Sequence, residues 1–233
     1  MTEASLRFLH FAIFIAGLAI VAMLVFHSRW LPPSYDPALP LDLRAPRTVM
    51  TPLKLRITAF FPEFCRAALR TAPLRVKPQA SGGTATCPLS DIFTVSGGPV
   101  AMEPESFLAS CDLAVRWALF ETDVALPVAR SVFGTGLARI RHVGSFACRD
   151  VRDRPGIRSS HATANAIDVS AFVLADGREI PLGAWNGQGV DAVFLRRIRD
   201  ESCGVFETVL SPDYDRLHAS HFHFQATGFG LCR

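Results

Sequence analysis

The sequence predicts an α+β fold. An N-terminal transmembrane helix is followed by helices packed on a mostly antiparallel sheet, which carries a cluster of histidines and an aspartate. Three observations predict it. Phe11 to Phe26 contains no charged residue, and Phe8-Leu9-His10 extends the run. Within 103–122, Phe107, Leu108, Cys111, Val115, Ala118 and Leu119 recur at helical spacing. From Leu137 onward the pattern changes to alternation, the period of strands. Four of the seven histidines lie in two short segments of this last part.

Residues 1–30 read as a cytoplasmic tip and an uncleaved signal anchor. The apolar run is just long enough to span a bilayer. No small-x-small cleavage site follows Phe26. This reading places the chain in the inner (cytoplasmic) membrane, single-pass, with the C-terminal domain in the periplasm. Burial as a core helix is disfavoured, because a helix apolar all round has no amphipathic face to pack with. Residues 31–53 contain Pro32, Pro33, Pro37, Pro40, Pro46 and Pro52. Proline fixes φ and removes donors, so the segment reads as an extended, semi-rigid linker. Its second half reads equally well as a loop packed on the body.

The body spans 54–233. Pro62 to Thr71 reads as a short helix with proline in its first turn, and 74–88 as a loop. Residues 103–122 make the strongest helix, with a core-facing stripe. Pro127 to Gly134 is another short helix ended by glycine. Strands follow at 137–143 and, after Gly144, at 145–149. The charged stretch 149–158 is an exposed loop. Ala166 to Phe172 is a strand, Asp176-Gly177 marks a hairpin turn, and 178–182 is the return strand. Trp185 and the glycines at 187 and 189 read as a wall of the cleft. A helix at 191–202, a strand at 205–210 and a loop at 212–220 lead into the final strand.

A net charge of +3 over 233 residues is too small to argue for nucleic acid. There is no Gly-rich phosphate loop and no internal repeat. The six cysteines, Cys65, Cys87, Cys111, Cys148, Cys203 and Cys232, form no Cys-x-x-Cys pair. An even, widely spaced set in an exported body implies disulfides. Spacing does not choose their connectivity; Cys65–Cys87 is the local expectation.

The alternation of Ala166–Phe172 puts Asp168 on the less apolar face. His221 and His223, two apart between Phe222 and Phe224, place both imidazoles on one face of a second strand. If the two strands are neighbours, facing Cβ atoms lie about 5 Å apart. A Zn²⁺ with bonds of about 2 Å fits between them. His161 must be bent back over the sheet by the loop 161–165. His161, Asp168 and His223 then make three protein ligands for one zinc. The fourth position is left for water, as at a catalytic rather than a structural site.

The run Ser159-x-His161-x-x-x-x-Ala166-x-Asp168 and the late His221-x-His223 resemble the LAS-type metallopeptidases, which include D-Ala-D-Ala carboxypeptidases and the penicillin-insensitive murein endopeptidase. From about Cys65 to Cys232 the chain looks more closely like the extensin-like C-terminal domain family. The residues that carry this are Ser145-Phe146-Ala147-Cys148-Arg149, the His161 motif, Asp176-Gly177, Trp185, Phe194-Leu195-Arg196, Cys203, and Val209-Leu210-Ser211-Pro212 running on to His218, His221 and His223. The resemblance implies that His161, Asp168 and His223 are zinc ligands. It implies that His218 and His221 stand where histidine replaces a glutamate base, and that Arg149 meets substrate. Ala164 stands where many relatives have glycine; a positive φ there would strain an alanine.

The expectation is a zinc metallopeptidase acting on amide bonds of peptidoglycan stem peptides, a D,D- or L,D-endo- or carboxypeptidase. His221 is the first choice of base and His218 the second; Ser159 caps the His161 loop or supports that residue. The alternative is a non-catalytic cell-wall-binding module tethered to the inner membrane. A third class, a disulfide-rich interaction protein, would leave the histidines unused.

Overall fold

The computed structural model describes residues 3–152 and 154–233. Met1 and Thr2 of the expected anchor, and Asp153 of the charged loop, lie outside the described residues. The apolar N-terminal stretch is helical, as α1 (Glu3–Val25), followed by α2 (His27–Trp30). Among the described residues, however, no helix is long and apolar enough to cross a membrane. This corrects both the transmembrane anchor and the single-pass inner-membrane location. The uncharged run Phe11–Phe26 makes about 24 Å of helix, short of a hydrocarbon core of about 30 Å. Its far end is also tied to the residues that follow it. The Trp30 indole donates to the Met23 carbonyl at 3.3 Å, and His27 pairs with buried Asp36 at 2.8 Å.

The proline-rich segment packs on the body instead of spacing it away. Leu41 and Leu43 are buried in the main core. The Leu43 N–H donates to Thr71 Oγ1 at 2.9 Å, and buried Lys54 donates to the Pro33 carbonyl at 2.7 Å. Next come α3 (Thr51–Phe60) and α4 (Pro62–Leu69), each with proline in its first turn.

A small antiparallel sheet in the order β1-β2-β4 comes next, made of β1 (Val76–Gly83), β2 (Pro88–Val95) and β4 (Phe107–Ser110). β3 (Ala101–Glu103) leaves it to join the main sheet. The loop expected at 74–88 is thus largely strand. β1 is exposed along most of its length, so it shows no apolar alternation, and only its pairing with β2 defines it. The helix expected from 103 begins later, as α5 (Cys111–Leu119). The Ser110 hydroxyl accepts the Leu113 N–H at 3.1 Å, a cap that fixes the start. Phe107 and Leu108 match the helical period by coincidence of spacing. A π-helical turn (Phe120–Ala125) leads into α6 (Leu126–Phe133), ended by Gly134 at φ +69°.

The remaining strands are β5 (Leu137–Gly144), β6 (Asp150–Val151), β7 (Arg154–Arg158), β8 (Ala166–Leu174), β9 (Glu179–Pro181), β10 (Thr208–Leu210), β11 (Phe222–Gln225) and β12 (Leu231–Cys232). α7 (Val190–Ser202) lies between β9 and β10. The main sheet runs β12-β10-β11-β8-β5-β3, with β9 on β8. Its pairings are antiparallel except β3 with β5 and β10 with β12. The mixed α+β class stands. Residues 145–149 are not a strand, and Asp150–Val151 pairs with Arg154–Arg158 as the separate β6–β7 sheet.

An aromatic core covers one face of the sheet. Phe224 meets Phe120 and Phe206, each with ring centroids 4.9 Å apart. Phe172 meets Phe194 at 5.3 Å, and Trp185 meets Phe222 at 5.7 Å. Trp185 is therefore core rather than a cleft wall. Its indole donates to Asp213 at 2.7 Å on burial.

Three disulfides join Cys65–Cys111, Cys87–Cys148 and Cys203–Cys232. Cys65–Cys87, the nearest pair in sequence, does not form. β1 carries the chain about 26 Å away from α4 before Cys87 is reached, whereas α4 packs beside α5 and Cys111.

Candidate metal centre

Two adjacent strands supply two of the three converging side chains. β11 pairs with β8 so that His223 stands directly opposite Asp168, with Phe222 opposite Val169 and Phe224 opposite Ile167. Side chains alternate along a strand. Phe222 and Phe224 therefore enter the core, while His223 and Gln225 share the other face with Asp168.

His161 comes from a single 3-10 turn (Ser160–Thr163). Ser159 opens it, its hydroxyl accepting the His161 N–H at 3.3 Å. Ala164 closes it in the left-handed region at φ +51°. The strain expected for an alanine there is thus present, on the order of 1 kcal/mol. The turn is held from outside by Ser110 N–H to the Ala164 carbonyl (2.8 Å), Ala147 N–H to the His161 carbonyl (3.2 Å) and Ala226 N–H to the Asn165 carbonyl (2.8 Å).

The result is a tight triangle. His161 Nε2 lies 3.1 Å from His223 Nδ1 and 3.2 Å from Asp168 Oδ1; His223 Nδ1 lies 2.9 Å from Asp168 Oδ1. His161 and His223 are buried and Asp168 is half-buried. Each imidazole spends its other nitrogen elsewhere. His161 Nδ1 lies 2.9 Å from the Ser145 carbonyl, which can only accept, so Nδ1 carries the proton. His223 Nε2 lies 3.1 Å from Gln225 Oε1. With a cation bound, the two facing nitrogens would turn their lone pairs to it, beside one carboxylate oxygen.

Three acceptors about 3 Å apart demand a positive charge between them. Burial works to raise the Asp168 pKa, but hydrogen bonds and positive charge from His161 and His223 outweigh it and hold the carboxyl well below the usual carboxylate range. A bound cation would supply that positive charge. The residues fit zinc. Two imidazole nitrogens and one carboxylate oxygen are the donor types it prefers. Corners of a tetrahedral shell with bonds of about 2.0–2.1 Å lie about 3.3 Å apart, a few tenths of an ångström wider than the spacing here. The second ring nitrogens are oriented as metal-ligating histidines require.

The other sequence-derived residues are placed unequally. His221 precedes β11 rather than lying within it, with Nε2 3.6 Å from Asp168 Oδ2. Burial lowers its pKa; the Asp168 charge opposes this, and the neighbouring imidazoles add to it. His218 is one layer further out, its ring 5.3 Å from that of His221 and 5.8 Å from that of His223. Its Nδ1 is held by Asp215 Oδ1 at 2.7 Å. Asp215 also accepts the Leu217 and His218 N–H groups, capping the turn Arg216–His218. Arg149 is tied in through its backbone, its carbonyl accepting the Ser159 N–H at 3.1 Å. Its guanidinium is exposed and reaches the Asp150 carbonyl at 3.4 Å, outside the triangle. His142 stays apart from the triangle, buried with Nε2 on the Pro104 carbonyl at 2.9 Å.

Sequence reading missed Ser145, Gln225 and Asp215. Gln225 was findable: it lies two residues after His223 on the same strand face. The Ser145 contact is through backbone and leaves no residue-type signal.

The model of the extensin-like protein C-terminus family matches residues 63–233. The chain belongs to that family. The match runs from the start of α4 to the last residue. It includes both halves of the triangle and all six cysteines of this extensin-like domain, and leaves α1, α2 and α3 outside. No curated protein and no solved structure shows significant similarity to the chain.

Proposed function

We propose that this extensin-like domain is a zinc-dependent hydrolase of amide bonds in peptidoglycan stem peptides. The observation that supports it is the triangle of His161 Nε2, Asp168 Oδ1 and His223 Nδ1, with both imidazoles committing their N–H elsewhere. The substrate class comes from the likeness of the Ser159–Asp168 and His221–His223 motifs to the LAS-type metallopeptidases.

His161, Asp168 and His223 would hold the ion. Bound zinc would supply a water that ionises near pH 7 and would polarise the scissile carbonyl. His221 is the first candidate to take a proton. It lies beside the triangle, and its lowered pKa keeps its ring neutral near pH 7. His218 is the second; with Nδ1 on Asp215, its Nε2 is free to accept. Burial of the ligand histidines keeps bulk water from competing for the same donors.

Metal analysis of the full chain tests the ion. One zinc per chain is expected in wild type, with none in His161→Ala or Asp168→Asn. No zinc in the wild type ends the proposal. Mass spectrometry of muropeptides incubated with wild type and His223→Ala then tests chemistry. New cleavage products from wild type alone are expected; equal profiles with zinc bound would mark a wall-binding module instead.

A further inference from the structure

We propose that Gln225 is a positioning residue for this centre, favouring the His223 tautomer that turns an unprotonated Nδ1 toward Asp168 and His161. Its purpose rests on the proposed function; its geometry does not. The orientation of the Gln225 amide is set by its neighbours rather than by choice. One end of the amide lies 2.7 Å from the Thr227 carbonyl and 3.1 Å from Thr227 Oγ1. A carbonyl only accepts, so the NH₂ must be at that end. Oε1 is then left facing His223 Nε2 at 3.1 Å. An amide oxygen only accepts, so it favours the tautomer with the proton on Nε2 and the lone pair on Nδ1.

The bracket is itself anchored. The Thr227 carbonyl also accepts the Thr208 hydroxyl at 3.2 Å, from β10, the strand paired with β11. Gly228 turns the chain there at φ +137°, with Thr208 and Glu207 filling the space a side chain would need. Gln225 is therefore held from β10 as well as by its own strand.

The lock has an opponent. Asp168 Oδ1, a charged acceptor, lies 2.9 Å from His223 Nδ1. Hydrogen bonds to charged acceptors are the stronger kind. Without an acceptor at Nε2, a neutral His223 would place its one proton on Nδ1, against Asp168. That proton would occupy the lone pair a cation needs. His161 needs no such side chain, because the Ser145 carbonyl performs this task from the backbone.

Two variants of the full chain separate this role from a structural one. Gln225→Met keeps the length and removes the acceptor. Gln225→Glu keeps an acceptor for His223 but loses the donors to Thr227. Long-range proton–nitrogen spectra of metal-free, ¹⁵N-histidine-labelled protein are recorded above the imidazole titration range. They should show a larger share of the His223 proton on Nε2 in wild type and Gln225→Glu than in Gln225→Met. Zinc affinity, read by chelator competition, should fall about 10–100-fold in Gln225→Met and much less in Gln225→Glu. A purely structural bracket predicts that both variants behave alike, since both lose Thr227. An equal share in wild type and Gln225→Met overturns the inference. A wild type that binds no zinc sinks the hydrolase reading, while the spectra still decide the role of Gln225.

Discussion

Glu121 shows how one residue can set the pH response of the fold. It is fully buried in the π-helical turn, accepting the Trp117 indole N–H at 2.6 Å and the Val100 N–H at 3.4 Å. Burial pushes its pKa up from 4.5 to about 7, against the pull of those two donors. A carboxyl whose folded pKa is raised holds its proton more tightly in the native state. Its contribution is therefore full below pH 4.5 and is lost as pH rises through about 7. The loss is on the order of 3 kcal/mol. Urea unfolding between pH 5 and 8 should show wild-type stability falling with pH, and Glu121→Gln should flatten the slope while keeping an acceptor for Trp117. An unchanged slope in the variant would assign the effect to another group. At the site, Asp168 and His223 are read residue by residue as well. Their types and spacing are visible in sequence, whereas their facing register is a property of the β8–β11 pair.

At the scale of the element, β11 carries two tasks on opposite faces. His223 and Gln225 build the site, and Phe222 and Phe224 fasten the strand to the core. Phe224 is fully buried between Phe120 and Phe206. Phe224→Ala should cost about 3–5 kcal/mol by equilibrium unfolding, from lost burial and the cavity left behind. A cost below about 1 kcal/mol would mean that the ring is not a core anchor. Legibility differed by element for physical reasons. β11 and β8 as far as Ser170 alternate because one face is core and the other site, so both were readable. β1 is exposed, and β4 happens to match helical spacing; neither carries a period of its own. The His161 turn was readable as a bend because a straight strand would have faced His161 away from Asp168.

Across the whole molecule, the disulfides join parts that sequence distance keeps apart. Cys87–Cys148 closes 61 residues, Cys65–Cys111 closes 46 and Cys203–Cys232 closes 29. In the chain-entropy account the longest and shortest loops differ by only about 0.7 kcal/mol, so position matters more than loop length. Cys87–Cys148 ties the start of β2 to the run that presents the Ser145 carbonyl to His161. The double variant Cys87→Ser/Cys148→Ser should lose about 2–4 kcal/mol in urea unfolding. A loss under about 0.5 kcal/mol would show that the small sheet holds that run without the bridge.

By itself, the sequence determined the α+β class, the two histidine segments, the strand faces of Asp168 and His223, and a cysteine set suited to disulfides. Each depends on local spacing, and spacing survives in a linear string. Tertiary structure alone decided the disulfide partners, the packing of the proline-rich segment, and the Ser145 and Gln225 contacts that orient the imidazoles. Those depend on which distant strands become neighbours, a choice made by burying the shared aromatic core.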